Sequence, residues 1–67
     1  MKIVINGREK EFEGDKITPN DLAQHLKITG KRYAMECNGQ IISRSNFSIM
    51  YIKDGDKLEI VGAVGGG

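Results

Sequence analysis

The sequence predicts an α+β domain in which a single helix covers one face of a mixed β-sheet. The chain has 67 residues, of which 39% are hydrophobic and 28% charged, and this composition is typical of one small globular domain. Several short segments alternate apolar and polar residues with the period of two that favours strands. Only one segment repeats its apolar residues at spacings of three and four, as an amphipathic helix does.

The first two strands are predicted to form a hairpin. Residues 1–6, MKIVIN, alternate apolar and polar side chains. Asn6 and Gly7 favour a type I′ turn because both residues tolerate a positive φ. The returning segment, residues 8–13, is highly charged, so we expect an edge strand whose charges oppose association between sheets. The inward-facing residues of this hairpin are Met1, Ile3, Ile5 and Phe12.

The helix is predicted within residues 17–28, ITPNDLAQHLKI. Thr18 is a suitable N-cap, Pro19 suits the first turn, and Asp21 occupies the position of the acid in a capping box. Gly30 follows shortly after and is a typical stop signal. The apolar side of this helix consists of Ile17, Leu22, Ala23 and Leu26, with Ile17 and Leu22 at the spacing of a hydrophobic staple.

The rest of the chain predicts three more strands and a connector. Residues 32–37 alternate like a strand, Asn38-Gly39 is a second hairpin turn, and residues 40–42 form a short strand. Residues 43–50 are irregular or contain one short helical turn. Residues 53–61 supply a turn at Asp54-Gly55 and the last strand. The inward-facing residues of the third and last strands are Tyr33, Met35, Cys37, Leu58 and Ile60.

The order of these elements predicts the β-grasp arrangement, which is the architecture of ubiquitin. The first and last strands are the most apolar, so we expect both at the centre of the sheet. A hairpin followed by a helix returns the chain to the side where the last strand lies parallel to the first. We therefore predict a β-grasp domain over residues 1–62 and a flexible C-terminal tail over residues 63–67.

The outer face of the predicted sheet has no second helix to cover it. Val4, Ala34 and Val61 lie there and form a modest apolar patch among charged residues. One interpretation is scattered apolar residues of the kind that every protein surface carries. The other is a docking face for a partner protein that acts on the tail, and under this interpretation the three residues are the partner-binding site.

The chain ends in Gly65, Gly66 and Gly67. Glycine backbone has no side chains, so it can thread a narrow slot and leaves the terminal carboxylate sterically open. A carboxylate is a poor acyl donor until it is activated. Attack of the Gly67 carboxylate on the α-phosphate of ATP would give an acyl-adenylate, which a sulfur nucleophile converts to a thiocarboxylate. We expect a partner enzyme to bind the ATP and to supply the catalysis.

The remaining reactive side chains do not predict an enzyme. Cys37 faces inward, where a free cysteine behaves as a small apolar residue, and His25 lies at the rim of the helix, so no nucleophile–base pair is expected. Asp54 and Asp56 flank Gly55 and are typical turn formers rather than metal ligands. We therefore predict no metal, no bound cofactor and no catalytic activity on this chain.

Composition also bounds the setting of the protein. Ten basic and nine acidic residues are interspersed, with a formal net charge of +1, and this pattern does not favour nucleic acid or a membrane surface as a partner. The N-terminal segment lacks the pattern of a signal peptide, and no apolar run reaches the length of a membrane span. The single cysteine excludes a disulfide framework within the chain. Together these features indicate a cytoplasmic protein.

Four segments carry a resemblance to a known family: IVING, ITPNDLAQHL, AMECNGQIISRSNF and DGDKLEIVGAVGGG. On these segments the sequence resembles, over essentially its whole length, the ThiS family, the sulfur carrier proteins of thiamine biosynthesis. The resemblance implies that a ThiF-type enzyme adenylates the C-terminal glycine and that a sulfur-donor system converts it to a thiocarboxylate. Thiazole synthase then takes the sulfur to build the thiazole ring.

The terminal Gly-Gly pair of the family matches Gly66 and Gly67, and Gly65 is an additional glycine in this chain. Two alternatives remain open. The small subunit of molybdopterin synthase is also a β-grasp sulfur carrier that ends in Gly-Gly, although it is usually longer. A β-grasp protein-interaction module with an idle tail is the alternative from outside the carriers.

Overall fold

The structure is a computed structural model that describes residues 1–62, and residues 63–67 lie outside the described part of the chain. Seven strands, one α-helix and one 3₁₀ turn follow each other within the described residues. In chain order they are β1 (Lys2–Ile5), β2 (Arg8–Glu11), β3 (Lys16–Ile17), α1 (Pro19–His25), β4 (Tyr33–Cys37), β5 (Gln40–Ile41), the 3₁₀ turn (Arg44–Asn46), β6 (Ile52–Lys53) and β7 (Lys57–Gly62).

Five strands form the main sheet in the order β2-β1-β7-β4-β5. β1 and β7 are parallel, with Val4 opposite Lys57 and Ile5 opposite Leu58. The other neighbouring strands are antiparallel. All four residues of β2 are exposed, as predicted for a charged edge strand. The mixed sheet with one helix confirms the predicted α+β fold and its central pair of parallel strands.

A second, two-stranded sheet was not predicted. β3 and β6 are antiparallel, with Lys16 opposite Lys53 and Ile17 opposite Ile52. Each strand has only two residues, which is too short for the alternation that identifies a strand in a sequence. Both isoleucines are buried, so this small sheet contributes side chains to the same core as the main sheet.

The start of α1 agrees with the sequence signals. The Oγ1 of Thr18 accepts a hydrogen bond from the backbone N–H of Asp21 at 3.1 Å, and Pro19 is the first helical residue. This bond satisfies one of the N–H groups that a helix leaves unpaired at its beginning. Ile17 and Leu22 are both buried, as expected for a hydrophobic staple across the helix start.

The end of α1 differs from the predicted stop at Gly30. The helix ends at His25, and Lys27 takes a left-handed conformation with φ of +59°. The N–H of Lys27 donates to the carbonyl of Gln24, and the N–H of Ile28 donates to the carbonyl of Ala23. This pair of bonds is a Schellman motif, in which glycine is the usual left-handed residue. Because lysine occupies this position, no glycine marks the true end of the helix in the sequence.

The core lies between α1 and the inner face of the main sheet. The strand residues predicted to face inward are buried or packed against this core, as are the predicted apolar residues of the helix. Ile42, from the predicted short strand, is also buried, and so is Phe47, although its segment was predicted to be irregular. Within residues 1–62, no helix is both long enough and apolar enough to cross a membrane. The largest fully buried side chains are Ile3, Leu22, Met35, Ile52, Leu58 and Pro19.

Candidate functional site

β7 determines where the predicted tail begins. It lies between β1 and β4, and its last residue, Gly62, is opposite Tyr33 of β4. β1 ends at Ile5, opposite Leu58, so β7 extends four residues past the end of its parallel neighbour. Residues 63–67 follow directly on this strand. The predicted reactive residue Gly67 and the predicted tail residues Gly65 and Gly66 therefore lie outside the described residues.

Asn6 bonds to the part of β7 that extends beyond β1. Its Nδ2 donates to the carbonyl of Ile60 at 3.1 Å, and its Oδ1 accepts from the N–H of Ile60 at 2.8 Å. The side-chain amide therefore pairs with Ile60 as another backbone peptide would. Asn6 and Gly7 both have a positive φ, as the predicted type I′ turn requires.

Asn38 holds the opposite end of β7. Its Oδ1 accepts from the N–H of Lys57 at 3.0 Å, and its own N–H donates to the carbonyl of Lys57 at 2.7 Å. Its Nδ2 donates to the Oδ1 of Asp56 at 3.1 Å. Sequence reasoning identified Asn6 and Asn38 only as turn residues and missed these side-chain bonds, because each joins segments that are distant in the sequence.

Asp54 and Asp56 occupy the turn that precedes β7. The Oδ1 of Asp54 accepts from the N–H of Lys2 at 2.6 Å, and the Oδ2 of Asp56 accepts from the N–H of Lys53 at 2.9 Å. Gly55, between the two acids, has a φ of +87°. Asp56 thus holds the turn itself, and Asp54 ties the turn to β1. Within residues 1–62 no group of three or more candidate metal ligands is found.

The three predicted partner-binding residues share the outer face but are not all neighbours. Ala34 and Val61 are direct cross-strand partners, and the side chain of Val61 is 59% exposed. Val4 is half-buried on β1 opposite Lys57. Because Val61 lies four residues further along β7, Val4 is displaced from it by about 13 Å along the strand direction. The structure therefore brings Ala34 and Val61 together and leaves Val4 apart.

A further apolar residue and two acids lie beside the Ala34–Val61 pair. Glu36 and Glu59 are directly opposite each other on β4 and β7, and Glu36 is also opposite Ile41 of β5. Ile41 is 74% exposed, which makes it the most exposed large apolar residue of this face. Sequence reasoning did not assign Ile41 to the outer face, although a two-residue turn at Asn38-Gly39 puts Ile41 opposite Glu36. We call Ala34, Ile41 and Val61, together with Glu36 and Glu59, the outer patch.

Cys37 and His25 lie in different parts of the structure. Cys37 is half-buried on the inner side of β4, and its Sγ lies 3.6 Å from the Nδ2 of Asn38. Burial, and secondly the charge of the neighbouring Asp56 carboxylate, raise the pKa of the Cys37 thiol. His25 is exposed, and its ring makes an edge-to-face contact with Phe12 at 5.5 Å between centroids. A thiol with a raised pKa is a weak nucleophile at neutral pH.

Arg44 supports β4 at the point where it pairs with the end of β7. Its guanidinium lies 4.3 Å from the ring centroid of Tyr33 and 4.9 Å from that of Phe47. Its Nη2 also donates to the backbone carbonyl of Tyr33 at 2.7 Å. These contacts fix Tyr33, the partner of Gly62 in the sheet.

Comparison with known families identifies this arrangement. The family model of the ThiS family matches residues 3–67 of the sequence, which is nearly the whole chain. The chain belongs to the ThiS family. The resemblance on the four sequence segments is thereby confirmed, and the chain is a sulfur carrier protein of thiamine biosynthesis.

Individual ThiS relatives agree with the family match. The sulfur carrier protein ThiS of Bacillus subtilis is 32% identical over 63 residues, which are 94% of this chain and 96% of that protein. A crystal structure of the thiamine biosynthesis protein ThiS from Geobacter metallireducens superposes with a TM-score of 0.86 at 29% identity, and each chain is covered completely. The ThiS β-grasp fold is therefore confirmed along the described chain.

A larger relative carries a different name. A thiazole synthase of Paramagnetospirillum magneticum is 40% identical to this chain over 67 residues. The match covers all of this chain but only 20% of that protein. The segment similar to this chain is thus a minor part of a much longer polypeptide.

Proposed function

We propose that the C-terminal carboxylate of Gly67 is the group that carries the sulfur. In the first step a carboxylate oxygen attacks the α-phosphate of ATP on a ThiF-type adenylating enzyme. The bond between the α- and β-phosphates breaks, pyrophosphate leaves, and an acyl-adenylate forms on Gly67. The adenylating enzyme holds the ATP and stabilises the charge that develops on the phosphates, so this chain needs no cofactor of its own.

In the second step hydrosulfide, or an equivalent sulfur nucleophile at the sulfide oxidation level supplied by a sulfur-donor system, attacks the acyl carbon. The bond between the acyl carbon and the adenylate oxygen breaks, and AMP leaves with that oxygen. The product is a thiocarboxylate on Gly67. Thiazole synthase is the acceptor that uses this sulfur for thiazole formation. The relative from Paramagnetospirillum magneticum supports this partner, because a protein named thiazole synthase contains a segment 40% identical to this chain.

The observation that carries the proposal is the family match, which extends through Gly67. The described body is consistent with it, because β7 includes Gly62, the last described residue, and only five further residues of sequence lead from there to the proposed reactive group. Val4, Ala34 and Val61 are proposed to contact the partners. The body is then the part that partners recognise, and we place the protein in the cytoplasm with them.

Deletion of Gly66 and Gly67 tests the reactive group. The purified protein is incubated with Mg·ATP, a sulfur donor and the ThiF-type enzyme of the same organism, and its intact mass is measured. The full chain is expected to gain the mass difference between sulfur and oxygen, whereas the deletion variant gains none. Because the described core residues all precede Gly62, the deletion should leave the unfolding midpoint unchanged.

Two controls make the result decisive. Fragmentation must place the added mass at Gly67, because oxidation of a methionine to its sulfoxide, or of Cys37 to a sulfenic acid, adds one oxygen atom and therefore nearly the same mass. A cleavable extension after Gly67 should block loading, and removal of the extension should restore it.

A deletion variant that still accepts sulfur would refute the proposal. If the loaded protein forms an active molybdopterin synthase with the large subunit of that enzyme but does not supply sulfur to thiazole synthase, it belongs to the other carrier pathway.

A further inference from the structure

We propose that Asn6 is a positioning residue that fixes the C-terminal part of β7 at Ile60 and thereby favours productive presentation of Gly67 to the adenylating enzyme. This inference rests on the proposed function, because it concerns the efficiency of the same adenylation. It assigns a role to a turn residue far from Gly67 in the sequence. Its basis is the pair of hydrogen bonds between the Asn6 side chain and Ile60.

The geometry gives Asn6 a role that no backbone group fills. The backbone pairing of β1 with β7 ends at Ile5 and Leu58, where the N–H of Asn6 still donates to the carbonyl of Leu58 at 2.9 Å. Two residues later, Ile60 has both its N–H and its carbonyl bonded to the Asn6 side chain, at 2.8 and 3.1 Å. On that side of β7 the Asn6 amide thus continues the hydrogen-bonding pattern of the sheet.

Without these two bonds, the end of β7 would be held in the sheet by β4 alone. β4 would remain the strand partner of Ile60, Val61 and Gly62. If these three residues fray, residues 60–62 no longer hold the chain that leads to the reactive carboxyl, and the last fixed point of β7 moves back toward Glu59. A longer connection lowers the effective concentration of the carboxyl in the partner's active site and loosens its orientation.

Asn38 provides a matched comparison within the same molecule. It also precedes a glycine in a hairpin turn, and its φ of +53° is close to the +50° of Asn6. Its side chain binds β7 as well, but at Lys57, the end that is remote from the tail. Glycine tolerates a positive φ, so Asn6→Gly and Asn38→Gly keep both turns and remove only the side-chain bonds.

The experiment measures adenylation of each variant in single turnover, with the ThiF-type enzyme in excess and Mg·ATP saturating. Asn6→Gly should lower the maximal rate constant of adenylate formation roughly two- to tenfold, while the enzyme concentration for half-saturation stays within about twofold. Asn38→Gly should leave both parameters at the values of the unmodified protein. Amide hydrogen exchange should quicken at Ile60 in Asn6→Gly and at Lys57 in Asn38→Gly.

The possible results separate this inference from the function on which it rests. If the unmodified protein is not adenylated, the proposed function fails and this inference fails with it. If adenylation proceeds but Asn6→Gly reacts as fast as the unmodified protein, only the role of Asn6 is refuted. If Asn38→Gly slows adenylate formation as much as Asn6→Gly does, the role of Asn6 is also refuted. The slower adenylation would then reflect a general loss of protein stability.

A second variant covers the case in which Asn6→Gly does not fold at the assay temperature. Asn6→Asp keeps an oxygen that accepts from the N–H of Ile60 and removes the donor to its carbonyl. It should lower the maximal rate constant below that of the unmodified protein, again without a matching change in half-saturation. A rate equal to that of the unmodified protein would contradict the proposed role.

Discussion

The two faces of the main sheet are built from alternate residues of the same strands, yet they differ in almost every physical respect. On the inner face, Met35 and Leu58 are fully buried beneath α1. On the outer face, their sequence neighbours Glu36 and Glu59 oppose each other as like charges. Like charges directly across a sheet are unfavourable. The inner face is therefore arranged for stability, and the outer face is not.

A carrier protein must fold stably and must also contact its partners, and the two faces of the main sheet allow these requirements to be met separately. Burial of apolar side chains is the main favourable contribution to folding, and it is confined to one side of the sheet. Residues on the other side can then meet the requirements of partners at little cost in stability. The comparison predicts that substitutions on one strand have opposite consequences according to the face they occupy.

The largest effect is expected from Leu58→Ala. The Leu58 side chain is fully buried in the core, so its truncation should lower the free energy of unfolding by about 3 kcal/mol. Urea denaturation followed by circular dichroism measures the change. Val61→Ala, on the outer face of the same strand, is the control and should change the free energy of unfolding by less than about 0.5 kcal/mol. Similar losses for both variants would contradict the distinction between the faces.

The next effect concerns partner binding by the outer patch. Val61→Gln should weaken binding to thiazole synthase or to the adenylating enzyme about tenfold, because it places a polar group in an apolar contact. Calorimetric titration gives the Kd, and the unfolding midpoint should remain unchanged. Ile49→Gln is a suitable control, since Ile49 is 69% exposed but lies outside the strands of the sheet. If the Ile49 variant loses as much affinity as the Val61 variant, the outer patch is not the docking face.

A smaller effect of the opposite sign is expected from Glu59→Gln. Removing one of two directly opposed carboxylates should raise the free energy of unfolding by about 0.5 kcal/mol at low ionic strength. The gain should shrink as salt is added, because salt screens the repulsion between exposed charges. Glu9→Gln is the control, since Glu9 is opposite Val4 rather than another acid. A loss of stability in the Glu59 variant would show that the pair does not repel.

Much of this fold follows from local signals in the sequence. The two Asn-Gly turns, the cap at Thr18 and the alternation along the longer strands each reflect interactions between residues close in the chain. These signals were sufficient to predict the inner face and the central parallel pair. They also placed Val4, Ala34 and Val61 on one outer face, because alternation alone decides the side on which a strand residue lies.

The features that sequence reasoning missed depend on contacts between distant segments. Strands of two residues, such as β3 and β6, have no detectable period. Phe47 is buried by the elements that surround its connector rather than by a pattern within it. The bonds from Asn6 to Ile60 join residues that are 54 positions apart, and a single sequence does not reveal such a pairing. The detailed composition of the outer patch likewise required the strand register, which placed Ile41 beside Glu36.

Cys37 and a cysteine placed on the opposite face of β4 test the same distinction through chemical reactivity. Because burial and the Asp56 carboxylate raise the pKa of the native Cys37 thiol, its thiolate forms at higher pH than in the unfolded chain. The stability associated with the protonated thiol is therefore complete below the unfolded-state pKa and is lost as the pH rises through the folded-state pKa.

The rate of alkylation by iodoacetamide, measured against pH, should have a higher midpoint in native protein than in urea. Ala34→Cys in a Cys37→Ser background presents a thiol on the exposed face and should react at nearly the same rate in both states. A native midpoint for Cys37 at or below that of the unfolded chain would contradict its inward, desolvated position.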